Sequence, residues 1–235
     1  MNRRAETRRV TRCAGLWVRR EAWVLSWRGR GLLALLLVAA AAGWGMGVYP
    51  FLAVTERVPA SVLVIEGWTG SAAMRQAAEE FRTGGYRTAL LVRPVLGQYD
   101  RDGRFLGERI AEALVEYGVP QHQLVTIYPD TVQKDRTYHI ATATLQWIAS
   151  QPAPVSGVNV ATLGPHARRS RLLFRKAFGT DCPVGIVSLR NLAYDPAHWW
   201  RTSEGVREVL GEFIAYSYAR LMFREPQPEP QQPLT

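Results

Sequence analysis

An α/β sandwich, in which helices cover both faces of a mostly parallel five-stranded sheet and one transmembrane helix precedes it, is predicted by three features of this 235-residue chain. Short aliphatic or β-branched runs alternate with segments of helical periodicity five times over. Gly or Pro marks most of the junctions between them. A charge-free stretch of 24 residues, Gly31 to Val54, stands ahead of the alternation.

The charge is unevenly placed. Residues 1–30 hold nine arginines (Arg3, Arg4, Arg8, Arg9, Arg12, Arg19, Arg20, Arg28 and Arg30) against Glu6 and Glu21, a net charge of +7 out of the chain's +9. The remainder is nearly neutral, which argues against nucleic-acid binding; a basic leader is accounted for by anionic lipid. Eight Trp, 20 Gly and a mixed apolar composition exclude collagen-like, coiled-coil and wholly disordered classes.

As a helix, Gly31–Val54 would extend about 36 Å, enough for the hydrocarbon core of a bilayer. Pro50 is expected to end it, leaving about 19 residues. The arginines before it and the single nearby Arg57 after it predict an N-inside orientation, with Trp17, Trp23 and Trp27 at the headgroups. A cleaved signal peptide, using Ala39-Ala40-Ala41, is the alternative. The long leader and the apolar continuation from Gly43 to Val54 favour an uncleaved anchor. The expected organisation is a basic cytoplasmic leader (1–30), a transmembrane anchor (31–54), an extracytoplasmic α/β domain (56–223) and a Pro-rich disordered tail (224–235), in a single-pass protein of the cell's inner membrane. Cys13 and Cys182 then lie on opposite sides and cannot pair, and Cys182 reads as a small buried apolar residue.

Within the outer domain, Ser61–Ile65 reads as a strand buried on both faces. Glu66-Gly67-Trp68-Thr69-Gly70 breaks it, and residues 71–83 form a helix with Ala73, Met74, Ala77 and Phe81 apolar, closed by Gly84-Gly85. Strands are predicted at 88–92, 124–128, 158–162 and 184–188. Helices are predicted at about 104–117, 136–149, 167–178 and 203–223, the first of these apolar at Phe105, Ile110, Leu114 and Tyr117. Such an alternation gives an open, Rossmann-like three-layer sandwich whose ligands bind outside the carboxyl ends of the strands. No Gly-x-Gly-x-x-Gly or Walker-type loop follows any strand.

Polar residues at those strand ends are Glu66, Arg93 and Asp130, then Asp135-Arg136-Thr137-Tyr138, Gly164–Ser170 and Trp199–Glu204. Gly164-Pro165-His166 permits a tight turn into a helix, whose first amides and dipole favour an anion. His166 and Arg169 are three apart and share a face, so both reach one ligand, and a phosphate or carboxylate suits such donors. The competing reading is a basic first turn whose arginines are solvated or paired with neighbouring carboxylates. Arg136 faces either site or solvent, and Asp135 suffices as an N-cap. Glu66 is the best carboxylate candidate, as a general base. Ser170 lacks a nucleophile context and reads as helix surface. Trp199 and Trp200 are expected to pack over the sheet or against the membrane. His139 and His198 have no metal-ligand spacing, and no metal or other cofactor is predicted.

The order of these pieces resembles the YdcF-like domain family, to which the SanA- and ElyC-type cell-envelope proteins belong. The likeness spans about residues 60–223. His166 and Arg169 match its His-x-x-Arg, with Phe174 and Gly179 following. Glu208-Val209-Leu210-Gly211 matches its closing Glu-x-Leu-Gly, and Thr137 and Ala141 match its middle segment. Arg136 stands where that family has Asn, and His139-Ile140 where it has Glu-Asn. The first strand ends in Glu66-Gly67-Trp68 rather than in successive glycines, and Arg93-Pro94 replaces Gly-Gly after the second. The resemblance implies an α/β protein linked to envelope integrity, peptidoglycan and undecaprenyl lipid-carrier metabolism, and one branch of the family is associated with S-adenosylmethionine.

The expectation is therefore an envelope-biogenesis protein whose outer domain binds a phosphorylated or otherwise anionic ligand, a lipid-linked phosphate being one such, through Arg136, Thr137, His166, Arg169 and Glu208, with Glu66 and His166 as catalytic candidates. The alternatives are a binder of S-adenosylmethionine or a similar nucleotide-like molecule, and a non-catalytic scaffold that recruits other envelope proteins.

Overall fold

The computed structural model describes residues 25–93, 106–130, 132 and 134–225, with two further short strands, Thr11–Arg12 and Trp17–Val18, paired antiparallel. The rest of the basic leader, the segment around Phe105 and the Pro-rich tail beyond Glu225 lie outside the described residues. The chain divides into two units, residues 1–43 and 44–235.

Helix α1, Trp27–Leu52, is long and apolar enough to cross a membrane. It begins four residues before the predicted span and takes in Arg28 and Arg30. Pro50 does not end it: the ring removes one backbone donor, yet the helix continues to Leu52 because its last turns are packed. Val48 and Leu52 are buried with Val209, Tyr194 and Trp199, and the Trp199 indole donates to the Gly45 carbonyl at 2.9 Å. Residues 44–54, assigned to the anchor by their hydropathy, thus belong to the α/β unit.

That unit alternates as its sequence predicts: β1 Val62–Glu66, α2 Ser71–Thr83, β2 Thr88–Val92, α3 Leu106–Glu116, β3 Leu124–Ile127, α4 Arg136–Ala149, β4 Val158–Leu163, α5 Ala167–Phe178, β5 Val184–Leu189 and α6 Ser203–Leu221. All four strand pairings are parallel, in the order β3-β2-β1-β4-β5. Central β1 is buried at every residue, and its side chains alternate between two cores. Leu63 and Ile65 pack with Ala73, Met74, Ala77 and Phe81 of α2 and Leu114 of α3. Val62 and Val64 pack with Ile140 of α4 and Phe174 and Phe178 of α5. Helices thus cover both faces.

The segment joining α1 to β1 protects an edge. Glu56 pairs antiparallel with Ile186 of edge strand β5, and Asn159 holds both backbone groups of Val58, accepting from its N–H at 3.0 Å and donating to its carbonyl at 2.9 Å. Arg57 adds a two-point pair to Glu80 of α2, both contacts at 2.8 Å.

The strand order reverses between β1 and β4. Chain connections run outward from β1 through β2 to β3, then return to β4 on its other side. Loops leaving β1 and β4 diverge there, which opens a crevice at their carboxyl ends.

Candidate functional site

Each side of the crevice contributes one acid–base element. Glu66 is the last residue of β1 and is fully buried, paired with Val92 of β2 on one side and covered by Thr162 and Ser170 on the other. Its carboxylate is not bare: Thr162 of β4 donates to Oε2, and the Ser170 hydroxyl lies 3.2 Å from the same oxygen. Ser170, predicted to be surface, is wholly buried; it lies one turn beyond His166 on the sheet-facing side of α5.

β4 runs directly into the turn Gly164–His166, which continues as α5. Gly164 sits at φ +47°, a conformation that disfavours a side chain, and a Cβ there would lie 3.3 Å from Glu208 Oε1. This turn aims the buried His166 ring between two carboxylates. Nδ1 is 2.8 Å from Glu212 Oε1, and Nε2 is 3.6 Å from Glu66 Oε2 with no hydrogen-bond partner. A proton on Nδ1 points at Glu212 and one on Nε2 at Glu66, so the ring bridges the sealed carboxylate and the outer one. Trp68, from the loop after β1, meets the ring edge-on with centroids 4.9 Å apart.

Arg169 completes the cluster. Its Nε and Nη2 donate to the two oxygens of Glu212 at 2.8 and 2.9 Å, Nη1 donates to Thr137 at 3.3 Å, and Nη2 is 2.8 Å from His166 Nδ1. The alternative in which arginines of this turn pair with a neighbouring carboxylate is thus realised for Arg169. Burial pushes the Glu212 carboxyl up, but the hydrogen bonds and charges of His166 and Arg169 outweigh it and bring it down to about 2. Arg168 points the other way, its guanidinium over the Phe51 ring at 4.0 Å.

These residues form one end of a cavity of about 750 Å³. Trp68, His166, Arg169 and Glu212 line that end together with Asp135, Arg136 and Thr137 at the start of α4. Asp135 occupies the N-cap position, as predicted, but in the left-handed region (φ 53°) and without a side-chain capping bond. The first amides of α4 therefore keep no side-chain cap, and this helix start borders the cavity together with that of α5. Arg136 is exposed, lines the cavity and pairs with no carboxylate among the described residues. The opposite wall is apolar: Ile140, Leu173, Ile214, Ala215, Ala219 and Phe223.

Of the predicted site residues, Arg136, Thr137, His166 and Arg169 thus come together on the cavity. Glu66 touches it only through His166. Glu208 stands off it, accepting from Asn191 at 2.6 Å beside Tyr194, where it backs the Gly164 turn. Burial raises its carboxyl, and nearby Glu212 adds to that against the Asn191 hydrogen bond. Arg93 also stands off, buried, with Nη1 donating to the Gly67 carbonyl at 3.1 Å, so it holds the loop that presents Trp68. Glu212 is the residue that sequence reasoning missed. Its signal is the i, i+4 spacing from Glu208, which puts two carboxylates on neighbouring turns of one helix. His198 pairs with Asp195 at 2.6 Å, and among the described residues no group of three His, Cys, Asp or Glu side chains is placed to hold a metal ion. Cys182 is free and buried.

No protein-family model matches the chain, and no curated protein shows significant similarity to it.

Proposed function

We propose that this is a membrane-anchored protein whose α/β unit binds an amphiphilic anionic ligand, a phosphate group joined to an apolar body. The observation that supports it is the division of the cavity: Arg136, the α4 amides and the His166–Arg169–Glu212 cluster at one end, and an apolar wall at the other. A small free anion needs no such wall, and a neutral lipid needs no such donors. Helix α1 supports the anchor, and the arginine-rich leader supports an N-inside orientation with the α/β unit outside the cytoplasm. A lipid-linked phosphate of the cell envelope, such as an undecaprenyl carrier, meets these requirements, in keeping with the YdcF-like resemblance.

If the ligand is turned over, the His166 ring, which lines the phosphate end between Glu66 and Glu212, is the acid–base group there, and it exchanges a proton with the ligand only once Nδ1 is released from Glu212. Glu66 then works through His166 rather than on the ligand. The strand order favours one further reading, since a reversal beside β1 is also where nucleotide-like molecules such as S-adenosylmethionine bind.

The test is a titration of the full-length chain in detergent micelles, read by ³¹P NMR and thermal shift. The ligands are a polyprenyl monophosphate, a short soluble phosphate monoester, inorganic phosphate and S-adenosylmethionine. The polyprenyl phosphate is expected to bind most tightly, inorganic phosphate weakly, and His166→Ala to reduce both. A stabilising shift from S-adenosylmethionine alone would replace this reading with the nucleotide one. Indifference to all four ligands would leave the scaffold role.

A further inference from the structure

Counted along the sequence, the residues of the apolar helix from Trp44 on belong to the α/β unit before a bilayer's length of helix has passed. A hydrocarbon core of about 30 Å takes about 20 helical residues, which, counted from Gly31, end at about Pro50. Yet the helix is already docked at Trp44, whose ring meets Phe213 at 5.6 Å and Trp199 at 6.3 Å. Gly45 accepts from the Trp199 indole, and Val48 is buried one turn on. Only 13 residues, Gly31 to Gly43, precede this docked stretch, or about 20 Å of helix. About 10 Å of the span is therefore already in contact with protein.

Side chains packed around Trp44–Pro50 must then lie at the depth of the bilayer's edge, and those nearby are suited to it. Trp200 is exposed beside Trp199. On α6, Leu210, Ile214, Tyr218 and Leu221 are exposed, Leu221 to 82%, and so is Met222 just past its end. At 100° per residue the four on the helix form one stripe, free of charge from Leu210 to Leu221. It runs between the side of α6 that packs on α1 (Val206, Val209, Phe213) and the side that lines the cavity (Glu212, Ala215, Ala219). Ile214 and Tyr218 belong to both stripe and cavity wall.

We infer that this stripe, with Trp200, is seated in the interfacial layer of the lipid bilayer, so that the cavity opens beside lipid rather than into bulk water. A second copy of the chain would also cover an apolar stripe, but it would not supply the missing length of span. Aromatic and aliphatic side chains next to a membrane segment are favoured at that depth. The inference rests on the membrane-anchored reading above, and deepens it: an amphiphilic phosphate would pass from bilayer to cavity without crossing water.

The experiment uses the full-length chain, with Cys13→Ser and Cys182→Ala, reconstituted in vesicles of phosphatidylcholine and phosphatidylglycerol. Single cysteines at Leu36, Ile214, Leu221 and Glu79 carry an environment-sensitive fluorophore, and acyl-chain-brominated lipids serve as quencher. Ile214, Leu221 and Glu79 are exposed, so the label requires no repacking. Labels at Leu36, Ile214 and Leu221 are expected to shift to the blue and lose most of their emission to the quencher, while Glu79 keeps its own. Quenching at Leu36 alone would overturn the seating and keep the anchor. No quenching at Leu36 would overturn the anchor, and the inference with it. Shielding at Ile214 that the brominated lipid does not quench, and that disappears as the chain is diluted with lipid, would assign the stripe to a second copy instead.

Discussion

Glu212 grips Arg169 at two points, Nε to Oε2 at 2.8 Å and Nη2 to Oε1 at 2.9 Å, and the same Oε1 lies 2.8 Å from His166 Nδ1. One carboxylate from α6 thus holds both basic residues of the α5 start, and both pairs are largely shielded from water. Because the folded carboxyl lies near 2 against an ordinary 4.5, the pair contributes stability that is fully present above about pH 4.5 and is lost as pH falls toward 2. The difference corresponds to about 3 kcal/mol. Glu212→Gln is expected to lower unfolding stability at pH 7 by about that amount and to flatten the acid limb of the stability–pH curve, as measured by denaturant titration between pH 2 and 7.

Behind His166, Glu66 is expected to separate shape from hydrogen bonding. Glu66→Ala leaves the Thr162 and Ser170 hydroxyls without their acceptor and opens a cavity between β1 and β4, a loss of about 3–5 kcal/mol. Glu66→Gln keeps the volume and one acceptor oxygen, so about 1–2 kcal/mol is expected. If turnover is found, Glu66→Gln should also lower it, since an amide cannot take up a proton from Nε2. Thermal denaturation of the two variants side by side checks the first part; equal losses would mean that the hydroxyls find other partners.

The segment over β5 offers a sharper test of the fold. A Cβ on Gly185 would stand 1.9 Å from Asn159 Oδ1 and 2.8 Å from both Glu56 O and Val58 N. Gly185→Ala must therefore displace either the Asn159 side chain or the strap itself. Asn159→Ala strands both backbone groups of Val58 and costs about 2–3 kcal/mol. Gly185→Ala is expected to cost at least as much, and the double variant little more than Gly185→Ala alone, because one event removes the other. Hydrogen exchange of the Val58 amide, slow in the parent and fast in all three variants, would localise the effect.

Much of this architecture was legible because it repeats short-range rules. Aliphatic runs flanked by Gly and Pro located all five sheet strands, and the apolar face Ala73-Met74-Ala77-Phe81 placed α2 at its observed limits. His166 and Arg169 were found because their spacing is local. What escaped depends on contacts distant in sequence. Glu212 lies 43 residues from Arg169, and no local pattern distinguishes it from Glu208. Ser170 is polar by identity and buried by the placement of α5 on the sheet. Pro50 reads as a helix end from its ring alone, whereas packing of Val48 and Leu52 carries the helix past it. Hydropathy likewise extended the anchor to Val54, since Trp44, Val48 and Leu52 are equally apolar whether lipid or protein surrounds them.

Arg136 separates binding from folding most cleanly. It is exposed, lines the cavity at the uncapped start of α4 and pairs with no described carboxylate, whereas Arg169 is committed to Glu212 and Thr137. Arg136→Ala is therefore expected to leave thermal stability within about 0.5 kcal/mol of the parent, as for other surface changes. It should weaken a phosphate-bearing ligand by roughly 10- to 100-fold, the worth of one charge-assisted hydrogen bond at about 1.5–3 kcal/mol. Arg136→Lys keeps the charge without the planar fork and should recover part of that loss. Arg169→Ala is expected to do both kinds of damage, since it frees Glu212 as a buried negative charge facing the same ligand. Calorimetric titration of a polyprenyl monophosphate into the three full-length variants, beside their melting curves, distinguishes these outcomes. Equal affinity in Arg136→Ala and the parent would move the anion away from the α4 start.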